Sequence, residues 1–585
     1  MAAIAQGMVT NNGTHMQVGP VFNPASLFAS SEKGVWYQPD DFTTLFTDTA
    51  GTTPVTAVEQ PVGLMLDKSQ GLVLGSEVLP ALSTYSVVLT GTWAASGSDW
   101  VFTDTVGSQI RPGVNSGVTL TSGVWFKVQI EIASITGASE VRINGAGASA
   151  QLLGAGAHTF YVLGTGTDVV RIRLEDASTS VNDGFSISSF SIKAIPGNHA
   201  VAANGSTARP VLRNRYNSLL FSEQFDQGYW SKAADSAVSS NVANAPDGTT
   251  TADKLYSTAD NPGRVRTQVT GLALTGNYVF SCYLKKSELN WARLSLAVSG
   301  AYDGAFFDLE NGVLGSASSG YTATISSAGD GWYRCSVQAN VSNADAVRIV
   351  LAESNGDDDL PPGSLNSGIY IWGAQLTTAA DHDAINGEYQ RIAAAPTVGA
   401  APTYDDNPSK FPVYLYATTD DAMSTASIDF SGGDEMSVFA GVTKESDATT
   451  GMMVELSNTA SIGSFRMAAP FGFGVANFYF QSGGTALSAA TGTTFAAPAT
   501  AVLTGLGAIS TDQSLLRVNG AQAASNTGDQ GTGNYGNYPL YLFSRNNSQS
   551  FVNGRLYSLI VRNALPTADE LSGAETYVNS KTRAY

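Results

Sequence analysis

Apolar residues recur at every second position through most of this chain, and that period excludes most architectures other than packed sheets. The segments VWFKVQIEI (124–132), VVRIRLE (169–175), FSISSFSI (185–192), VRIVLAE (347–353), MSVFAGVTK (436–444) and LYSLIVR (556–562) alternate or run apolar, between Gly, Asn, Asp or Ser. Successive side chains of a strand point to opposite faces, so the pattern buries one face of a sheet and wets the other. The expected fold class is therefore all-β, built from sandwiches. Helical periodicity is nearly absent until the C-terminus. There Thr567 can cap a helix, Glu570 completes a capping box, and Leu571, Ala574 and Val578 share one face, which predicts a helix over 568–580.

A chain of 585 residues has room for roughly four domains of about 150 residues each. Charged residues are only 14% of it, against about 25% in ordinary globular proteins, so structure has to come from short strands and tight turns. The formal net charge of −19 argues against a nucleic-acid partner, whose binding footprint is basic. The first residues, MAAIAQGMVTNNGTHMQVGP, carry neither a basic n-region nor an apolar h-region, so no secretory signal is expected. No apolar run approaches the 18 or so residues of a membrane span, and no membrane partner is expected. Cys282 and Cys335 both lie in strand-like phrases, either as buried thiols acting as small hydrophobes or as a disulfide between neighbouring strands.

The order of phrases from Asn217 to Leu376 carries a resemblance. NSLLFSEQFDQGYWSK (217–232), APDGTTTADKL (245–255), YVFSCYLKK (278–286), GDGWYRCSV (329–337) and GIYIWGAQL (368–376) follow one another as in the jelly-roll, carbohydrate-binding-like modules of tailed-bacteriophage fibre and spike proteins. The stretch 34–69 resembles the leader unit of such fibres, which is usually followed directly by a GNHA phrase. Here that phrase stands at 197–200, leading into STARPVLR (206–213), so a module of its own is expected to be inserted at 70–195. The division expected is an N-terminal virion-attachment segment at 1–33, a leader unit at 34–69 completed by 196–213, and jelly-rolls at 70–195 and 214–392. A Pro-rich linker follows at 393–412. The remainder, 413–585, resembles concanavalin A-like or laminin G-like modules through SLLRVNGAQ (514–522), YPLYLFSRNN (538–547) and FVNGRLYSLIVRNALPTADEL (551–571). Within it, Asn519-Gly520 independently favours a type I′ hairpin.

Catalytic chemistry finds little support in the residues. There is no G-x-S-x-G elbow and no H-E-x-x-H, H-x-H or C-x-x-C spacing. His15, His158, His199 and His382 each stand alone as surface or structural groups. No paired acidic motif of the concanavalin-type glucanases occurs, so no catalytic residue is assigned and the chain is expected not to be an enzyme. Asp357, Asp358 and Asp359 in NGDDDLPPG supply oxygen donors suited to Ca²⁺, which jelly-rolls of the kind resembled often hold; the alternative is a solvated tip. Tyr535, Tyr538, Arg545, Asn546 and Asn547 offer an aromatic and amide cluster for a glycan, unless Tyr538 packs in the core and the asparagines only make turns. Trp230, Trp291, Trp332 and Trp372 are expected to fill the core or edge of the second jelly-roll.

The resemblance implies a structural virion protein, a short tail-associated fibre or spike adhering to host-surface polysaccharide. A homotrimer attached to other virion proteins through its N-terminal segment is implied as well. A head fibre, capsid decoration or collar protein is the alternative within the virion, and a surface-polysaccharide depolymerase the alternative of another class. Without a signal, the chain would be made in the host cytoplasm and reach the virion by assembly. The absence of a heptad or triple-β-helix repeat favours a stubby appendage over a long shaft.

Overall fold

The alternating segments close into three sandwiches in the computed structural model, which describes residues 22–107, 110–147, 150–175, 179–203, 208–298, 301–393, 401–458 and 462–585. The fold is all-β, with antiparallel pairing throughout the strand ladders.

The first sandwich occupies the inserted stretch. One five-stranded sheet runs Gln151–Leu153, Val141–Asn144, Val169–Leu174, Gly113–Thr119 and Ser86–Val88. The other runs Gly156–Leu163, Trp125–Thr136, Gly184–Ala194, Asp99–Thr103 and Thr92–Ser96. Alternation does what the sequence implies: Phe126, Val128, Ile130 and Ile132 are buried in the shared core with Phe160 and Ile172, while Gln129 is exposed.

The second sandwich is organised by one long antiparallel ribbon, Arg266–Lys286 against Trp332–Ala352. Its register breaks between Thr270 and Gly276, where Gly271 (φ +78°), Gly276 (φ +117°) and Asn343 (φ +56°) adopt backbone that β-branched residues resist. The bulges bend the ribbon, so its halves lie in facing layers over one core that takes Val269 and Ile349 from one half and Phe280 and Val337 from the other. The first layer adds Trp291–Val298 and Gly304–Asp308. The second adds Gly368–Thr378, Ala252–Ser257 and Tyr321–Gly329. Cys282 and Cys335 are direct cross-strand partners in this ribbon, both free thiols in the core, and burial pushes both thiols up.

The terminal sandwich is not confined to 413–585. Gly34–Tyr37 pairs with Gly554–Arg562, from Gly34↔Arg562 to Tyr37↔Leu559, and Val211–Arg213 pairs with Tyr414–Ala417. In the other sheet Leu45–Phe46, Leu64–Met65 and Ala200–Ala202 lead to Met423–Asp429. The segments 34–69 and 196–213 therefore form no unit of their own. They complete the terminal sandwich, and Val35, Tyr37, Leu45, Met65 and Leu212 share its core with Val438, Phe480 and Leu559. The reason is burial: all four residues of Gly34–Tyr37 are covered, which a two-strand leader alone cannot achieve. Both jelly-rolls are thus excursions from one hub.

The two sides of the first excursion meet at Asp67. Its buried carboxylate accepts from the backbone N–H groups of Trp36 (2.8 Å), Ser69 (2.8 Å) and Asn198 (2.7 Å) and from the Ser69 hydroxyl (2.8 Å). The Asp67 N–H donates to His199 Nδ1 at 3.0 Å, and Asn198 Nδ2 donates to the Gly34 carbonyl at 2.8 Å. The GNHA phrase is a clasp. Burial raises the Asp67 carboxyl to about 6 against the pull of these donors, and burial lowers the His199 imidazole to about 3.

The C-terminal helix, Ala568–Thr582, starts with the expected capping box between Thr567 and Glu570. Ala574 and Val578 pack on Phe439, Ile560 and Trp36, together with Leu27 and Phe28 of the short turn Pro24–Phe28. Residues 22–28 of the expected attachment segment are therefore docked on the hub; residues 1–21 lie outside the described residues, as does 394–400 of the expected linker. Farther along that linker Tyr404 donates to Glu59 Oε1 (3.0 Å) and Phe411 is buried. Asn519 (φ +51°) and Gly520 (φ +75°) make the predicted tight turn between Gln513–Val518 and Ala521–Asn526. Among the described residues no helix is long and apolar enough to cross a membrane.

Candidate functional site

The outer face of the second sandwich carries a cleft of about 350 Å³ lined by Tyr283, Trp372, Tyr389, Arg334, Glu388 and Lys410. Parity places the first of these: Cys282 and Leu284 point into the core, so Tyr283 points out, and Cys335 does the same for Arg334. Trp372 reaches this face at a register break, where Gly373 takes φ +63° and a Cβ would stand 3.0 Å from the Tyr283 ring. Tyr389 comes from the turn after the helix Ala379–Ala384. Arg334 donates to the Gly387 carbonyl in that turn and lies 5.5 Å over the Tyr283 ring.

The three rings form a tilted cage. Centroids are 5.3 Å apart for Tyr283 and Trp372, 6.0 Å for Tyr283 and Tyr389, and 4.9 Å for Trp372 and Tyr389, with interplanar angles of 63°, 78° and 56°. Two rings have their polar atoms tied down: Trp372 Nε1 donates to Thr251 Oγ1 (3.0 Å), and the Tyr389 hydroxyl bonds Ser222 Oγ (2.7 Å) and donates to Glu223 Oε1 (3.2 Å). Glu223 is held by Arg391 at 2.9 Å, yet burial still leaves its carboxyl above the ordinary range. The Tyr283 hydroxyl has no protein partner among the described residues. Asp247, Asn386, Glu388 and Lys410 are exposed at the rim, with Glu388 and Lys410 3.2 Å apart. The exposed parts of Tyr283 and Tyr389, with the edge of Trp372 between them, lie beside exposed charged and amide groups, so together they can cover an apolar face of one molecule and hydrogen-bond its hydroxyls.

The sequence-predicted residues fare differently. Asp358 is a counter-ion, 2.6 Å from Arg264 Nε and 2.9 Å from Arg293 Nη1, while Asp357 and Asp359 are exposed. Among the described residues no group of three or more His, Cys, Asp or Glu side chains is placed to hold a metal ion, so the three aspartates are not brought together as the side-chain ligand set that the calcium alternative asks for. Two nearby guanidinium groups, which spacing alone does not reveal, redirect the central carboxylate.

The glycan cluster of the terminal module also does not assemble. Tyr535 is 1% exposed in the hub core, edge-on to Phe465, and Tyr538 packs half-buried against the same core. Arg545 lies 3.4 Å from Glu455. Asn546 and Asn547 (φ +53° and +57°) make a turn in which Asn547 Nδ2 donates to Ser424 Oγ at 2.9 Å. Trp230 and Trp332 are core residues as expected. Trp372 is also mostly packed but presents an edge to the cleft, a role the sequence did not assign. His158 bonds the Gly154 carbonyl, His199 belongs to the clasp, His382 is half-buried, and His15 lies outside the described residues. Tyr283, Arg334 and Trp372 all lie in the phrases that carry the resemblance. For Tyr283 and Arg334, outward parity against Cys282 and Cys335 was the available signal; Trp372 reaches the face through a register break that parity does not show.

No family model matches the chain, and no curated protein matches its sequence. Solved structures similar to parts of it include the receptor-binding domain of botulinum neurotoxin type G, at 8% identity and a TM-score of 0.23, covering 33% of this chain and 47% of that one. The tandem CBM22-1–CBM22-2 domain of Paenibacillus barcinonensis Xyn10C aligns at 10% identity and a TM-score of 0.21, covering 53% and 98%. Domains LG4-5 of the mouse laminin alpha1 chain align at 11% and 0.18, covering 56% and 97%. Similarity this low carries no argument about function, which rests on the cleft itself.

Proposed function

We propose that this chain is a structural adhesin of a tailed-phage virion, a short fibre or spike whose second sandwich holds a host-surface glycan in the three-ring cleft. The observation that carries the reading is the cluster of Tyr283, Trp372 and Tyr389 with a tyrosine hydroxyl that has no protein partner among the described residues and a rim of both charges. A pyranose offers an apolar C–H face to such rings and hydroxyls to such a rim. The order of phrases from Asn217 to Leu376, four of whose segments build or border the cleft, supports the virion setting. One shallow cleft binds weakly, and trimeric copies on a particle raise the effective affinity. The chain binds without cleaving the glycan.

The test is a glycan array probed with the full chain, followed by titration of each hit. Tyr283→Ala is expected to weaken the hit glycan about tenfold, roughly 1.4 kcal/mol. Lys410→Ala is expected to cost less, since its pair with Glu388 is solvent-exposed. Binding that is equal in wild type and Tyr283→Ala contradicts the assignment of the cleft, and shortening of the bound glycan contradicts adhesion without cleavage.

A further inference from the structure

On the opposite outer face of the second sandwich, four arginines gather around one tyrosine. Val269, Leu294 and Ile349 point into the core, so Arg266, Arg293 and Arg348 point outward from three neighbouring strands. Arg266 and Arg293 both pair with Val350, and Arg348 pairs with Gln268 and Ser295, which sets the three guanidinium groups diagonally side by side. Arg264 joins from the preceding loop. The guanidinium carbons of Arg264, Arg266, Arg293 and Arg348 lie 4.4, 5.5, 5.8 and 4.9 Å from the Tyr302 ring centroid.

Only half of this charge is compensated. Asp358 bridges Arg264 and Arg293, whereas among the described residues no carboxylate lies within ion-pair distance of Arg266 or Arg348. Instead both donate Nε to the same neutral acceptor, Gln268 Oε1, at 3.1 and 3.0 Å. Arg348 Nη1 donates to the Ala301 carbonyl (2.6 Å), and the terminal nitrogens of Arg266 have no protein partner among the described residues. Arg293 is 8% exposed, yet its Nε makes no hydrogen bond among the described residues. Burial pushes Arg348 below the ordinary guanidinium range; Tyr302 and Asp345 oppose the shift and Arg266 and Arg293 add to it. Positive charges held together with only partial compensation favour one more anion locally, against the general repulsion of a chain of net charge −19. Forked guanidinium donors match the two oxygens of an oxyanion.

We propose that Arg266 and Arg348, aligned by Gln268 beside Tyr302, bind an oxyanion borne by an acidic polysaccharide, as a carboxylate, sulfate or phosphate substituent. The seat is on the other side of the sandwich from the three-ring cleft and does not rest on the reading of that cleft.

The experiment is calorimetric titration of the full chain with polygalacturonate, neutral dextran and inorganic phosphate, at low and at physiological ionic strength. Polygalacturonate is expected to bind, to weaken as salt rises, and to lose at least about tenfold in affinity in Arg266→Gln. Gln268→Glu places a carboxylate between the two arginines; it is expected to abolish anion binding while raising the thermal transition, which separates loss of the seat from loss of the fold. If inorganic phosphate binds as tightly as a polymer repeat and Gln268→Glu abolishes it, the seat stands and its occupant is a free anion. No anion binding by wild type, undiminished binding by both variants, or equal binding of dextran overturns the proposal.

Discussion

His199 shows how much one side chain can set at a junction. It is fully buried, accepts the Asp67 N–H on Nδ1, and is therefore neutral with its proton on Nε2. The unfolded imidazole takes up a proton below about 6.5, whereas the folded one resists protonation down to about 3. Its contribution to stability is thus full above about pH 6.5 and is lost as pH falls toward 3. Asp67 has the opposite sign: its folded carboxyl is raised to about 6, so protonation between about pH 6 and 4 favours the fold and offsets part of the loss. His199→Gln keeps an acceptor for Asp67 and removes the imidazole titration. Urea unfolding at pH 7.5 and 4.5 is expected to show a smaller acid loss in the variant than in wild type; equal losses contradict this account. The histidine was legible as structural because it stood alone in its phrase. Its partner was not, because Asp67 and His199 lie on either side of an inserted sandwich.

Strands and helix were legible where local chemistry decides them. Period two marked the cores, and Thr567 with Glu570 marked the helix start. Thr567→Ala is expected to lower stability by about 1 kcal/mol, read as a shift of the denaturation midpoint. What local pattern could not show was continuity. YVFSCYLKK is only half of Arg266–Lys286, and VRIVLAE lies mostly in the second half of Trp332–Ala352, because bulges around Gly271, Gly276 and Asn343 interrupt the alternation without ending the strand. Pairing partners were hidden for a related reason: parity says which face is buried, not which strand lies alongside. Gly34 illustrates the consequence. It takes φ +150° against Arg562, and a Cβ there would lie 1.8 Å from the Val561 carbonyl oxygen. Gly34→Ala is expected to detach its strand from the hub, seen as loss of amide-exchange protection at Val35 to Tyr37 with the second sandwich unaffected. Unchanged protection contradicts the hub topology.

At the scale of the molecule, the sequence suggested one module inserted into a separate leader unit and a terminal module standing by itself, and the structure is a hub with two excursions. Each excursion is fastened by an apolar seam. Phe46, Leu64 and Leu66 meet Trp125 and Tyr161 on one side, and Tyr414, Phe411 and Tyr557 meet Tyr216 and Ile385 on the other. The second seam also buries Arg555, which pairs with Asp381 (2.8 Å) from the jelly-roll and Glu445 (2.6 Å) from the hub. Removing one partner of a buried ion network typically costs about 3–5 kcal/mol. Arg555→Met is therefore expected to split thermal unfolding, the second sandwich melting apart from the hub; a single unshifted transition contradicts the fastening role. For the proposed glycan binding, these seams would hold the cleft in a set direction relative to the hub. The glycan-bound structure of the full chain tests the central claim most directly. Density packed against Tyr283, Tyr389 and the edge of Trp372 and reaching the rim at Glu388 and Lys410 is the predicted result, and a glycan bound elsewhere with this cleft empty would contradict it.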